Sequence, residues 1–434
     1  MTPGARLAAA IEILGDIEST RRPAALALKE WGPRHRFAGS ADRAAIAGLV
    51  YDALRRRASA AYLMDEGSPR AILLGMLKLE RGLDVEAIAA LADGSRHAPA
   101  RLDEEERARL AGASPDGAPA PVAGDYPEWL DRYFAKTFGE ERAQELAALA
   151  SRAPLDLRVN ALKKPEREKV AAALAELAPV PTRWSPFGLR ISLSAGAKSP
   201  AIHAEPVFLK GQVELQDEGS QLAALFTAAK GGEQVVDLCA GAGGKTLALA
   251  AMMGNRGQIF ATDTDKRRLA PIHARLERAG VRNVQVRTPR ARGDVLADLA
   301  GRADLVLIDA PCTGTGVWRR NPDAKWRIRP GALAERAKEQ IAALDRAVPL
   351  VKPGGRILYA TCSVLDEENG AQVRAFLARH AGFAVVVPAE VTAALGERAF
   401  VFRRAVRMSE EGLLMTPLRT GTDGFFVAML RRKE

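Results

Sequence analysis

The spacing of hydrophobic positions changes character along this chain. From Arg6 to about Ala111 apolar residues recur every three or four positions, as in Leu49, Val50 and Leu54 followed by Ala58, Tyr62 and Leu63, the period of helices that bury one face. Strand patterns are nearly absent there. The stretch Gly112 to Gly124 is rich in Pro, Gly and Ala and follows neither period, so it predicts a linker. From Tyr126 to about Pro206 the pattern predicts two amphipathic helices and short strands at Leu155 to Asn160 and Gly188 to Leu193, a small α/β module.

After Phe208 apolar runs of strand length alternate with helical text: Gln234 to Leu238, Gln258 to Thr262, Val284 to Arg287, Asp304 to Asp309 and Arg356 to Ala360. This alternation predicts an α/β fold with a doubly wound, Rossmann-like parallel sheet. The run Gly424 to Leu430 reads as an antiparallel edge strand after the turn residues Gly421 and Gly424. There is no internal repeat. The expected organisation is therefore a helical domain over 1–117, a linker and small α/β module over 118–205, and the sheet domain over 206–434.

Composition narrows the function. With 434 residues, 47% hydrophobic and 27% charged, the chain is long enough for two or three domains. It contains no apolar run near the ~20 residues of a membrane span. A secretory pattern is missing from its first thirty residues, and its cysteines are Cys239, Cys312 and Cys362. A cytoplasmic, reducing setting without disulfides is expected. A monomer suffices for everything read here, and no metal site is expected. The net charge of +10 favours a polyanionic partner such as nucleic acid, although an arginine-rich composition raises charge by itself.

The first strand of the sheet ends in Asp237 and opens through LCAGAGGKT, Leu238 to Thr246, into a helix. Small residues there let backbone N–H groups and the helix N-terminus approach a ligand. A phosphate-binding P-loop would need glycine where Cys239 stands, and a dinucleotide fingerprint would need glycine at Thr246. Both readings lose ground. The second strand ends at Asp263, about 20 residues after the glycines, where an acidic group binds ribose hydroxyls. S-adenosyl-L-methionine and NAD both satisfy that pattern.

Cys312 and Cys362 each follow a strand of the same sheet, within Asp309-Ala-Pro-Cys312 and Thr361-Cys362-Ser363. Both belong at the carboxyl edge with the glycine loop. A lone buried cysteine is usually a small core residue; two in turns at one edge suggest chemistry. A pyrimidine C5 is a poor nucleophile until a thiolate adds at C6 and pushes electron density toward it. Asp309 can then share a proton with the ring N3, and a second thiol can help remove the C5 proton.

These segments resemble the Nol/Nop/Sun family of RNA cytosine-5 methyltransferases, and its bacterial RsmB (Sun/Fmu) branch acting on 16S ribosomal RNA. LCAGAGGKT resembles the family's S-adenosyl-L-methionine loop, and Asp263 its ribose-binding acid. DAPCTGTGVWRRNPDAKW, Asp309 to Trp326, resembles its fourth motif, and ATCSVLDEEN, Ala360 to Asn369, its sixth. LRVNAL at Leu157 to Leu162, GQVELQDEGSQ at Gly211 to Gln221 and DGFF at Asp423 to Phe426 are also similar.

The resemblance implies that Cys362 attacks the base and Cys312 assists release, with Lys245 and Asp309 near the target. It further implies a cofactor site lined by Cys239, Ala240, Gly241, Ala242, Gly243, Gly244, Lys245, Asp263 and Asp309. Cys239 is then a loop residue. DRAAIAGLVYDALRRR, Asp42 to Arg57, resembles a NusB-like RNA-binding domain, in which Arg55 to Arg57 would touch phosphates or form a solvated face.

Two departures stand out. Gly241-Ala242 replace the branch's Ala-Pro, which loosens the turn while keeping its N–H donors. Arg290, within TPRARGD, stands where the family has an aspartate for the adenine, and Asp294 is the nearest candidate replacement. A transfer-RNA methyltransferase with the same chemistry, an inactive RNA-binding assembly factor marked by Arg290, and a nucleotide hydrolase using GGKT are the competing readings. The last lacks a clear magnesium-binding acid.

Overall fold

A computed structural model describes residues 1–112, 117–194, 199–290 and 293–434. The predicted linker thus lies partly outside the described residues, as do Ala291 and Arg292 of TPRARGD. The chain divides into two compact units. One comprises Met1–Ala153, Leu193–Ser199 and Trp318–Ile328; the other comprises Pro154–Ser192, Pro200–Val317 and Arg329–Glu434. Residues 118–153 thus cluster with the helices before them, and 154–192 with the sheets after them. Among the described residues no helix is long and apolar enough to cross a membrane.

Among its described residues the first unit contains helices and no strand. Its helices start where side chains satisfy their free N–H groups. Thr2, Ser68 and Asp84 accept from Ala5, Ala71 and Ala87 at 3.2, 3.2 and 2.8 Å, and Pro3 and Pro69 occupy first-turn positions that need no donor. Helix Pro69–Leu79 is the centre of this unit, with Ile72, Leu73, Leu74, Met76 and Leu77 all buried. They pack with Leu7, Leu14, Ile46, Val50 and Leu54. At Gly75 an added Cβ would come within 2.8 Å of the Ala60 carbonyl, so glycine is what permits this helix crossing.

The Arg55–Arg57 run is not a phosphate-facing surface. Arg55 is 6% exposed and donates to the carbonyl oxygens of Arg319 and Ser151 at 2.6 and 3.1 Å. Arg56 pairs with Glu80 and Asp125, and Arg57 with Glu18. The three guanidiniums are held by these partners, and the last carbonyls of helix Ser40–Arg55, which lack helical partners, are met by other donors. Lys325 Nζ and Trp326 Nε1 donate to two of those carbonyls, Arg55 at 2.9 Å and Leu54 at 2.7 Å.

The second unit carries two sheets. In the smaller, β1 (Leu155–Val159), β2 (Val180–Pro181), β3 (Gly188–Ile191) and β4 (Val213–Leu215) lie antiparallel in the order β2-β3-β1-β4. The larger contains β5 (Gln234–Asp237), β6 (Gln258–Ala261), β7 (Val284–Val286), β8 (Ala303–Asp309), β9 (Val351–Thr361), β10 (Phe383–Val385), β11 (Arg407–Met408), β12 (Leu413–Met415) and β13 (Phe425–Arg432). Its order is β11-β12-β13-β9-β8-β5-β6-β7, with β10 paired to β13. Strands β5 to β9 run parallel, while β10 to β13 form antiparallel pairs, as predicted for the closing run. This is a Rossmann-like sheet, as the alternation of strands and helices predicted.

Strand order reverses between β5 and β8, and ligands of open α/β sheets bind beyond the carboxyl ends at that point. The parallel strands are continuous apolar runs because both faces are covered: Val235, Leu305, Leu307 and Leu358 are buried in one core with Leu222, Leu249 and Phe402. Strands β2, β4, β10, β11 and β12 were not predicted, because two or three residues carry little periodicity; β7, equally short, was predicted from its place in the alternation of strands and helices.

Candidate active site

The loop after β5 is shaped by two left-handed glycines, Gly241 at φ 49° and Gly243 at φ 85°. A Cβ on Gly243 would also approach Ile272 to 2.5 Å. The Gly241 replacement is therefore accommodated by a conformation that suits glycine. Its N–H donates to Asp263 Oδ2 at 2.9 Å, and Asp263 Oδ1 accepts from Asp265 N at 2.9 Å. Asp263 is 2% exposed, with Arg268 at 3.9 Å. Each carboxylate oxygen keeps a second lone pair, the chemistry of an acceptor for a sugar diol.

Helix Gly244–Met252 begins directly at the loop. Beneath it Asp237 accepts from Thr246 Oγ1 at 2.7 Å, while its other oxygen has no hydrogen-bond partner. Burial pushes this carboxyl up to about 7. Cys239 lies in the same loop, and burial raises its thiol well above the ordinary range. A protonated, buried thiol is a poor nucleophile, consistent with its reading as a loop residue.

Lys245, 7% exposed, places Nζ 2.7 Å from Asp309 Oδ2 and 5.1 Å from the centroid of Phe425. Asp309 ends β8 and is paired in register with Ala360 of β9. The two turns that follow these neighbouring strands bring Cys312 Sγ and Cys362 Sγ within 3.4 Å of each other. Contact with the Cys362 sulfur, followed by burial, holds the Cys312 thiol well above its ordinary range.

The turns are tied together by residues that sequence reading did not single out. Glu368 accepts from Thr313 N at 2.8 Å, from Thr313 Oγ1 and from Gln340 Nε2 at 3.1 Å. Tyr359 donates to the Glu368 carbonyl at 2.6 Å. Burial raises the Glu368 carboxyl, against the hydrogen bonds that lower it. Glu368 lies inside the quoted ATCSVLDEEN, so its segment was visible; Gln340, in the middle of helix Pro330–Ala347, carried no local signal.

Backbone contacts join three motifs. Gly316 N donates to Cys362 O at 2.9 Å, and Gly424 N to Gly316 O at 2.8 Å. Gly316 has no room for a side chain: its Cβ would lie 2.1 Å from Gly424 O. Asp217 Oδ1 accepts from Gly219 N at 2.7 Å and from Asp423 N at 3.1 Å. GQVELQDEGSQ therefore acts as scaffold for DGFF, whose Phe425 faces Lys245.

Arg290 is exposed. Asp294 Oδ1 accepts from Arg346 Nη2 at 2.8 Å and from Leu296 N at 3.1 Å. Among the described residues no cluster of three or more His, Cys, Asp or Glu is arranged for a metal.

Comparison with known proteins agrees with this geometry. Residues 224–431 match the model of the family described as 16S rRNA methyltransferase RsmB/F. The probable ribosomal RNA small subunit methyltransferase B of Synechocystis sp. is 34% identical over 71% of this chain and 67% of that protein. The ribosomal RNA small subunit methyltransferase B of Sodalis glossinidius is 36% identical over 70% of this chain and 65% of its own length. The matched stretch thus spans about two thirds of these relatives. The crystal structure of PH0851 superposes with a TM-score of 0.71 at 26% identity, covering 100% of this chain and 99% of that one. A parallel sheet with a glycine loop, two facing thiols and this level of identity lead to one conclusion: the chain belongs to the RsmB/F family of 16S rRNA methyltransferases.

Proposed function

We propose that this protein is an S-adenosyl-L-methionine-dependent RNA cytosine-5 methyltransferase acting on 16S ribosomal RNA, with Cys362 as the covalent nucleophile. The observation that carries the reading is the 3.4 Å approach of Cys312 and Cys362 at the sheet edge that also bears the Lys245–Asp309 pair. The glycine loop from Cys239 to Lys245 and Asp263 fit the cofactor, because a buried carboxylate with spare lone pairs and left-handed glycines suit a nucleoside. When bound, S-adenosyl-L-methionine supplies an electrophilic methyl group. The helical residues 1–117 are assigned to RNA binding.

The 3.4 Å approach of the two sulfurs supports a division of labour between them. Addition to cytosine C6 requires Cys362 as the thiolate, with Cys312 in contact with its sulfur. Negative charge that builds at N3 is met by a proton shared through Asp309, which lies 2.7 Å from the Lys245 ammonium that can replace that proton. Once Cys362 is bonded to carbon, the largest influence raising the Cys312 pKa is gone. Cys312, its own proton passed to solvent, can then take the C5 proton as thiolate, while the C6–S bond breaks and its electron pair returns to Cys362.

Cys362→Ala should abolish methyl transfer to 16S RNA while leaving cofactor binding intact. Cys312→Ala should permit addition and block release, so a denaturation-resistant protein–RNA adduct should accumulate. Turnover by Cys362→Ala would remove that residue from its role, and normal product release by Cys312→Ala would do the same for its partner. Bisulfite mapping of RNA treated with the wild-type enzyme checks the position methylated.

A further inference from the structure

The helical unit contains a groove that the proposed chemistry does not use. Its volume is about 740 Å³, and its walls include Ala8, Glu12, Trp31, His35, Phe37 and His97. A space of that size lies within the range of small-ligand sites. Three of those residues come from one short segment, Trp31-Gly-Pro-Arg-His-Arg-Phe37, in which aromatic and basic side chains alternate.

The aromatic wall is ordered before any ligand arrives. Trp31 and His35 stack with ring centroids 4.1 Å apart and planes 12° apart, and His35 meets Phe37 edge-on at 5.7 Å. His35 Nδ1 lies 3.0 Å from the Trp31 carbonyl. A carbonyl only accepts, so Nδ1 carries the proton and the ring is held in place. Phe37 is nevertheless 71% exposed, an arrangement that folding alone does not reward. The Trp31 Nε1–H is buried without a hydrogen-bond partner.

Charge selects among possible occupants. Arg34 and Arg36 flank His35 and are exposed, and Arg96 next to His97 is exposed as well. The acid on the groove wall is Glu12, which can accept from a ring N–H or exocyclic amine. An apolar protein segment would use the rings but not the cations. A nucleotide uses both, stacking its base on an aromatic face and presenting its phosphates to arginine.

We propose that this groove binds a single unpaired nucleobase of the RNA substrate, stacked on Phe37 with the flanking phosphates on Arg34 and Arg36. It is an RNA contact separate from the residues proposed to modify the target base. The inference rests on the reading of the protein as an RNA methyltransferase and names a determinant of its substrate binding.

The test uses the full-length protein with a short single-stranded RNA carrying one 4-thiouridine, and the same RNA with an abasic site at that position. Photo-crosslinking should attach the thiolated base to the Trp31–Phe37 segment. Phe37→Ala should weaken binding of the intact RNA about tenfold, as expected for loss of one base–aromatic stack, and should leave binding of the abasic RNA unchanged. Because Phe37 is exposed, the variant should melt as the wild type does.

Equal affinity of wild type and Phe37→Ala for the intact RNA, or crosslinks confined to other segments, would overturn the proposal. Normal transfer to 16S RNA by the wild type in that case would leave the enzymatic reading standing. Failure of the wild type to methylate RNA would instead strike at that reading.

Discussion

Two lysines, one in each unit, are almost fully buried and have opposite surroundings. Lys245 in the sheet-bearing unit is 7% exposed and faces a carboxylate, Asp309, at 2.7 Å. Lys325 in the helical unit is 1% exposed and donates to the Arg55 carbonyl at 2.9 Å, with the Trp326 ring 5.1 Å away. Burial lowers the Lys325 pKa to about 7, against the field of Asp125. A perturbed amine is often taken as the mark of a catalytic group. Here Lys325 closes a helix end, and the lysine expected to act on substrate is held as an ion pair with Asp309. The partner and the neighbouring chemistry distinguish the sites, whereas burial is common to both.

The comparison can be broken most directly by removing each amine. Lys245→Met should lower methyl transfer by about 100-fold or more, because it deletes an electrostatic and proton-donating group at the reacting ring. Lys325→Met should leave turnover near that of the parent. Single-turnover transfer to 16S RNA measures both, and equal losses would erase the distinction.

The support of the Lys245 site is tested next. Gly316→Ala puts a methyl group 2.1 Å from the Gly424 carbonyl oxygen, which forces apart the contact between the fourth motif and DGFF. A destabilisation of about 1–3 kcal/mol is expected from overpacking, together with loss of activity. Denaturant unfolding and the transfer assay should move together; an active variant of full stability would show that this contact does not position Phe425 or the cysteine turns.

A smaller effect sharpens the account of Lys325. The unfolded chain keeps this proton up to the ordinary lysine value of 10.5, while the folded protein releases it near 7. Between those values unfolding takes up a proton, so the contribution of Lys325 makes stability rise with pH. Below pH 7 both states are protonated and that dependence ends. Unfolding midpoints at pH 7 and pH 9.5 should differ more for the wild type than for Lys325→Met. Identical pH dependence in the two proteins would mean that Lys325 is not buried as an amine of lowered pKa.

Much of this was written locally. Alternating apolar runs announced β5, β6, β8 and β9, and the glycines with Asp263, Asp309, Cys312 and Cys362 announced an edge where chemistry gathers, because a strand's end and a turn's conformational needs depend on a few adjacent residues. Other features depended on partners far away in the chain. The run Arg55–Arg57 looked like a cationic face until Arg55 was found spent on the carbonyls of Ser151 and Arg319.

Trp318–Ile328 reads as the continuation of the fourth motif, yet its described contacts belong to the helical unit. Glu368 and Gln340 become part of a site only when helix Pro330–Ala347 and the turns after β8 and β9 converge. The sequence by itself determined which elements form and which reactive groups end the strands. Tertiary structure alone decided which charges are buried, which thiols meet and which aromatic rings stay open, since those properties arise from packing between residues far apart in the chain.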